Sequence, residues 1–152
     1  LNQEFLKNTK LFEDLSEEEL VEIILIGRQR SFKKGGTIFA EGDPGDSLFL
    51  IMEGGVRISL FQAGGEEALA VLSASDFFGE MTLFDVKPRS AFAIAHEDCS
   101  LFQIGYTPLL KLFRTNREIG YKFLWSFCKT LTQRLRNTND KFNVILAMAN
   151  FG

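Results

Sequence analysis

The chain has 152 residues, with 17 Lys and Arg against 20 Asp and Glu, a net charge of -3 at pH 7. That length suits one domain with a sizeable core. The acidic balance excludes a protein that grips nucleic acid over its whole surface, because phosphate contacts need a basic excess. Hydrophobic residues make up 45% and charged residues 24%, the mix of a folded chain rather than a disordered one. No apolar run reaches the roughly 20 residues of a membrane-spanning helix, so no membrane partner is expected. Cys99 and Cys128 are too few for a disulfide framework and place the chain in a reducing cytoplasm. Both read as buried packing residues. Leu1 opens the chain, as in a trimmed sequence, and no signal peptide is visible.

Residues 1–27 read as helical. Ser16-Glu17-Glu18-Glu19 has the form of a capping box, and Leu20, Ile23 and Ile24 follow at helical spacing, with Gly27 at the end. Leu11, Phe12 and Leu15 predict a short turn before it that packs on the same core.

Residues 28–104 change character. Gly35-Gly36, Gly42 to Asp46, Gly54-Gly55 and Gly64-Gly65 are turn signals about ten residues apart, the rhythm of an antiparallel sandwich or barrel. Strands are predicted at 37–40, 48–51, 56–60, 69–72, 91–95 and 100–104. Arg57 and Ser59 alternate with Val56, Ile58 and Leu60, as in a strand with one wet face.

Residues 107–150 return to helix. Thr107 as cap and Pro108 behind it predict a short helix over 108–114. Asn116 then caps a much longer one. Its apolar positions, Ile119, Phe123, Phe127, Leu131, Leu135, Thr138, Phe142, Ile145 and Ala149, settle into alternating steps of four and three. That is a heptad seam, and it predicts a homodimer through the C-terminal helix. Lys122, Lys129, Arg134, Arg136 and Lys141 read as its solvated face rather than as a nucleic-acid patch.

The segment with chemistry is Phe78-Gly79-Glu80-Met81-Thr82-Leu83-Phe84-Asp85-Val86-Lys87-Pro88-Arg89-Ser90-Ala91. Gly79 lets the backbone turn with exposed N–H groups where a short helix begins. Arg89 offers a planar fork to a phosphate. Glu80 is an acceptor suited to a sugar hydroxyl, and Ser90 adds a donor. An anion clamp beside a hydroxyl acceptor is what a cyclic sugar-phosphate requires.

Two stretches carry a resemblance to a known family. Gly42-Asp43-Pro44-Gly45-Asp46-Ser47-Leu48-Phe49-Leu50-Ile51, followed by Glu53-Gly54-Gly55-Val56, is similar to the first glycine-rich stretch of cyclic nucleotide-binding domains. Phe78-Gly79-Glu80 with Pro88-Arg89-Ser90-Ala91 resembles their phosphate-binding cassette. These are the sensor domains of bacterial cyclic-AMP receptor proteins, protein kinase A regulatory subunits and cyclic nucleotide-gated channels. The resemblance covers nearly the whole chain. It implies a mainly β fold, an antiparallel β-barrel of the double-stranded β-helix or jelly-roll kind, with N-terminal helices and a long C-terminal helix, all one domain over 1–152.

The resemblance also implies roles. Gly79 and Ala91 offer backbone N–H groups to the phosphate, supported by Ser90. Arg89 pairs with the exocyclic phosphate oxygens, and Glu80 accepts from the ribose 2′-OH. Ile58 and Leu69 line the base. Thr138 and Asn139 of the long helix sit where a hydroxyl pair meets adenine. Ser90 leans towards cyclic AMP (cAMP), with cyclic GMP (cGMP) as the alternative.

The expected function is therefore a sensor and not an enzyme. Cyclic-AMP receptor proteins carry a helix-turn-helix domain after the long helix, whereas this chain closes at Phe151-Gly152. Two readings stand: a free-standing module acting through a partner, or the sensor half of a transcription regulator, with no direct nucleic-acid binding by this chain. A cupin-type metalloenzyme is the competing class. Its sites want several His and carboxylate ligands, and His96 stands alone beside Glu97 and Asp98, so no metal is expected.

Overall fold

The computed structural model describes residues 3–150; Leu1, Asn2, Phe151 and Gly152 lie outside the described residues. Helix α1 spans Gln3–Lys7 and α2 spans Glu17–Ile26. The predicted capping box is present. Ser16 Oγ accepts from the Glu19 N–H at 3.3 Å, and the Glu19 carboxylate accepts from the Ser16 N–H at 2.8 Å. Gly27 is the exception to the helical reading of 1–27, because it already opens the first strand.

Eight strands follow: β1 Gly27–Phe32, β2 Thr37–Phe39, β3 Ser47–Glu53, β4 Val56–Gln62, β5 Gly65–Leu72, β6 Phe77–Phe78, β7 Phe92–Ala95 and β8 Cys99–Gly105. They form two four-stranded antiparallel sheets, in the orders β1-β8-β3-β6 and β2-β7-β4-β5. This is the expected jelly roll.

The pleat explains how one sheet serves two cores. Successive side chains point to opposite faces, and β3 is apolar on both. Phe49 and Ile51 face inward between the sheets, with Phe78, Ala93 and Leu101. Leu48 and Leu50 face outward, under a second core with Phe77, Phe102 and Ile104. The helices cover that outer face through Leu6, Leu20, Ile23, Phe123 and Phe127, joined by Phe12 from the turn between α1 and α2. A strand buried on both faces reads as a continuous apolar run, as Leu48-Phe49-Leu50-Ile51 does.

Helix α3 runs Tyr106–Thr115. Its cap is Gly105 and not the expected Thr107, and it makes no side-chain capping bond. The helix starts early because the Tyr106 N–H is held by the Asp46 carbonyl at 2.8 Å. Pro108 still falls in the first turn, where its missing N–H costs nothing. Asn116 does cap the last helix, accepting from the Ile119 N–H at 3.3 Å. That helix, α4, runs Arg117–Asn150.

The seam on α4 is redistributed. Ile119, Phe123 and Phe127 are buried in the chain's own core. From Leu131 on, the seam residues Leu135, Phe142 and Ile145 are 58–62% exposed. Leu124 and Cys128, both exposed, continue the same alternating steps backwards. Cys128 is thus not the buried packing residue expected, although Cys99 is. Nor are the α4 cations simply solvated. Lys122 pairs with Glu19 at 2.9 Å and Lys129 with Glu13 at 3.2 Å.

Among the described residues no helix is long and apolar enough to cross a membrane. No group of three or more His, Cys, Asp or Glu among them could hold a metal ion. His96, Glu97 and Asp98 occupy the turn between β7 and β8, where Asp98 pairs with Lys33 at 2.7 Å.

Candidate ligand-binding site

Strand β6 delivers the chain to Gly79, which takes a left-handed conformation at φ 81° and caps a single 3-10 turn, Glu80–Leu83. Glycine is required here twice over. The positive φ disfavours any side chain. A Cβ would also lie 2.8 Å from Arg89 Nη1 and 3.1 Å from the Ser47 carbonyl. The segment then returns to β7 through Arg89, whose backbone is pinned to the first glycine-rich stretch. Its N–H donates to the Asp43 carbonyl at 2.8 Å, and its carbonyl accepts from the Gly42 N–H at 2.9 Å. Gly45 lies so close to Thr82 that a Cβ would sit 2.2 Å from the Thr82 hydroxyl oxygen. The first glycine-rich stretch and the cassette are therefore halves of one structure.

Arg89 is buried. Its Nη1 donates to the Gly79 carbonyl at 2.8 Å and to Thr82 Oγ1 at 3.3 Å, and its Nη2 donates to the Ser47 carbonyl at 2.6 Å. The guanidinium lies 4.2 Å over the Phe39 ring. Its Nε–H is buried with no partner in the protein. An orphaned donor on a buried cation is costly unless an acceptor arrives.

Glu80 is also buried, and its partner comes from α4. Arg134 Nη1 donates to Glu80 Oε1 at 2.6 Å, while its Nη2 donates to the Phe77 carbonyl at 2.9 Å and its guanidinium stacks 4.4 Å over the Phe77 ring.

A cavity of about 390 Å³ joins these groups. Of the residues anticipated, Ile58, Leu69, Gly79, Glu80, Arg89, Ser90, Ala91 and Thr138 line it. Leu69 and Ala70 both reach it because the β4–β5 pairing slips between Ile58 and Ser59, so two residues oppose one. Asn139 is the exception. It is not among the lining residues, because a step of one residue turns a helix by about 100°. The α4 residues that do line the cavity are Arg134, Asn137, Thr138 and Lys141, at the i, i+3, i+4 and i+7 positions of one face. Arg134, Asn137, Lys141 and Phe39 were not foreseen as site residues. The heptad spacing around Leu131 and Leu135 holds the signal for the α4 face, since it fixes which residues lie beside the seam.

A match to the model of the cyclic nucleotide-binding domain covers residues 29–116. The chain belongs to the cyclic nucleotide-binding domain family. It is 32% identical over 141 residues to the cyclic AMP receptor protein of Thermus thermophilus, covering 92% of this chain and 63% of that one. It is 34% identical over 110 residues to the CRP-like cAMP-activated global transcriptional regulator of Mycobacterium tuberculosis, of which it covers 47%. The chain thus spans between about half and two thirds of these curated relatives. Among solved structures, a cyclic nucleotide-binding domain from Methylobacillus flagellatus superposes with a TM-score of 0.81 at 29% identity, covering 91% of this chain and 79% of that one. The Thermus thermophilus catabolite activator protein superposes at 0.77 and 32% identity, covering 90% of this chain and 63% of that one.

Proposed function

We propose that this cyclic nucleotide-binding domain is a sensor for cAMP that binds and reports rather than catalyses, and that residues 1–152 form a single domain. The observation that carries the reading is the unpartnered Arg89 Nε–H, buried in the wall of a cavity that also holds Glu80. Both Nη atoms of Arg89 are engaged by the protein, and its Nε–H is the donor left for an incoming acceptor. The groups fit a cyclic nucleotide in order. Arg89 takes the exocyclic phosphate oxygens, with Gly79, Ser90 and Ala91 beside it. Glu80 accepts the ribose hydroxyl, and Ile58 and Leu69 flank the base. Thr138 supplies an acceptor at the far end. Its hydroxyl proton is already donated to the Arg134 carbonyl at 3.0 Å, which leaves oxygen lone pairs for an exocyclic amine. Against the 6-position of the purine, that acceptor suits the amine of adenine and not the carbonyl of guanine.

Response to the ligand follows from competition. Glu80 is engaged by Arg134 of α4, so a ribose hydroxyl at Glu80 must share or displace that contact. Leu83 and Phe84 ride on the same turn, and Phe84 touches Phe127 of α4 at a ring separation of 5.4 Å. A ligand that prefers one arrangement of turn and helix shifts the population towards it. The readout surface is the exposed seam of α4, which pairs with a second copy.

The likeness to the cyclic AMP receptor protein of Thermus thermophilus supports one elaboration. The chain acts as the sensor half of a regulator of the cyclic-AMP receptor kind, with the output carried elsewhere. The test is calorimetric titration with cAMP and cGMP. Arg89→Glu is expected to weaken binding at least tenfold, and an unchanged affinity refutes the assignment.

A further inference from the structure

One buried titratable group has no part in that scheme. Tyr106, the first residue of α3, is almost fully buried, and its hydroxyl donates to the Gly79 carbonyl. The same hydroxyl lies 2.8 Å from Thr82 Oγ1. Its backbone N–H is held by the Asp46 carbonyl at 2.8 Å. Three separate pieces therefore meet on one residue: the cassette, the first glycine-rich stretch and the start of a helix. Burial pushes the phenol up from its ordinary value, ahead of the opposing influence of Thr82 and Arg89, so the hydroxyl keeps its proton.

The Gly79 carbonyl explains why this matters. A carbonyl oxygen has two lone pairs, and here its close donors are Arg89 Nη1 at 2.8 Å and the Tyr106 hydroxyl, with Thr82 Oγ1 at the longer distance of 3.5 Å. When a phosphate draws the guanidinium away, one donor leaves. The tyrosine is then the remaining close donor to the carbonyl and holds Gly79 in its left-handed turn, with the long Thr82 contact beside it. Without the hydroxyl, every release of Arg89 leaves that carbonyl only the long Thr82 contact, which costs up to the order of a lost hydrogen bond.

We propose that Tyr106 is the positioning residue of the phosphate site: it frees Arg89 for the ligand and passes the movement of the cassette into α3. The route onward is packed. Phe113 of α3 meets Phe123 of α4 at a ring separation of 4.9 Å, and Gly120 lets α4 close on Phe113, since a Cβ there would sit 3.1 Å from the Phe113 Cβ. The inference rests on the cyclic-nucleotide reading of the cavity.

The test uses the full chain, with Tyr106→Phe, which keeps the ring in its seat, and Thr82→Val, which keeps the tyrosine's own bond to Gly79. Each is titrated with cAMP and cGMP while the emission of Trp125, the sole tryptophan, is followed on α4. Tyr106→Phe is expected to bind both nucleotides about tenfold more weakly, with their ratio unchanged, the equivalent of one hydrogen bond. At saturation it should give half or less of the wild-type Trp125 response. Thr82→Val should lose less than about threefold. Wild-type affinity with a wild-type Trp125 response in Tyr106→Phe overturns the proposal. So does an equal loss in Thr82→Val, or a changed cAMP to cGMP ratio. A wild-type chain that binds neither nucleotide overturns the functional reading itself, and is seen before any variant is compared.

Discussion

Arg134 on α4 and Glu80 on the cassette turn are joined at 2.6 Å, although they lie 54 residues apart in the chain. The carboxylate is buried while the Arg134 side chain is 37% exposed, so solvent weakens the attraction that holds the helix down. Replacing Arg134 by Ala strands a buried carboxylate, and the ligand-free protein should lose about 1 kcal/mol of stability, or somewhat more. Amide exchange across the middle of α4 should accelerate with it. Thermal unfolding and hydrogen-exchange mass spectrometry measure the two effects. An unaltered exchange profile would show that the contact does not restrain the helix.

Thr138→Ala removes the acceptor at the base end and leaves Arg89 untouched. Discrimination between cAMP and cGMP should narrow several-fold, while the contribution of the phosphate, read from the effect of Arg89→Glu in the same background, stays the same. Competition binding with both nucleotides gives the ratio. Should Thr138→Ala change self-association and nothing else, Thr138 belongs to the helix seam and not to the pocket.

The exposed seam makes a prediction about association. If the seam pairs two copies, Leu135→Glu together with Phe142→Glu, one heptad apart, should leave a monomer, because like charges then face each other at core positions. Sedimentation equilibrium reads this directly. In a parallel pair, Cys128 meets its counterpart, so mild oxidation by a small disulfide should give a cross-linked species that Cys128→Ser abolishes.

Acid sensitivity should appear at the N-terminal helices. Burial pushes the Glu19 carboxyl up, but Lys122 and the Ser16 N–H outweigh it and hold it below its ordinary value. A carboxyl depressed by folding contributes stability that is present above its unfolded value and lost as pH falls through its folded one. The melting temperature should therefore drop as the pH falls below about 5, and Glu19→Gln should flatten that part of the curve. Identical profiles for the two proteins would remove Glu19 from the account.

What the sequence revealed follows from the range of the forces involved. The Ser16 cap, the strand at 48–51 and the cassette are legible because each is decided within a few neighbouring residues. Strand β1 was not individually foreseen. Gly27-Arg28-Gln29-Arg30-Ser31-Phe32 has no apolar alternation, since the strand lies at a sheet edge and pairs with β8 alone. The Thr107 cap fails because a distant carbonyl, that of Asp46, claims the helix start. Arg134 resembles its neighbour Arg136 in sequence. Only the crossing of α4 over the pocket separates them, and the same crossing substitutes Asn137 and Lys141 for Asn139.

The uneven burial of α4 makes it a lever. Its fulcrum is Phe127, the last seam residue sunk in the chain's own core and the one that Phe84 touches. From there to Asn150 the helix reaches about 35 Å. A tilt of about 10° at the fulcrum would sweep the far end through about 6 Å over that reach. The same tilt would move Arg134, seven residues beyond the fulcrum in the pocket wall, by about 2 Å, so a shift there would arrive roughly threefold larger at the far end of the helix.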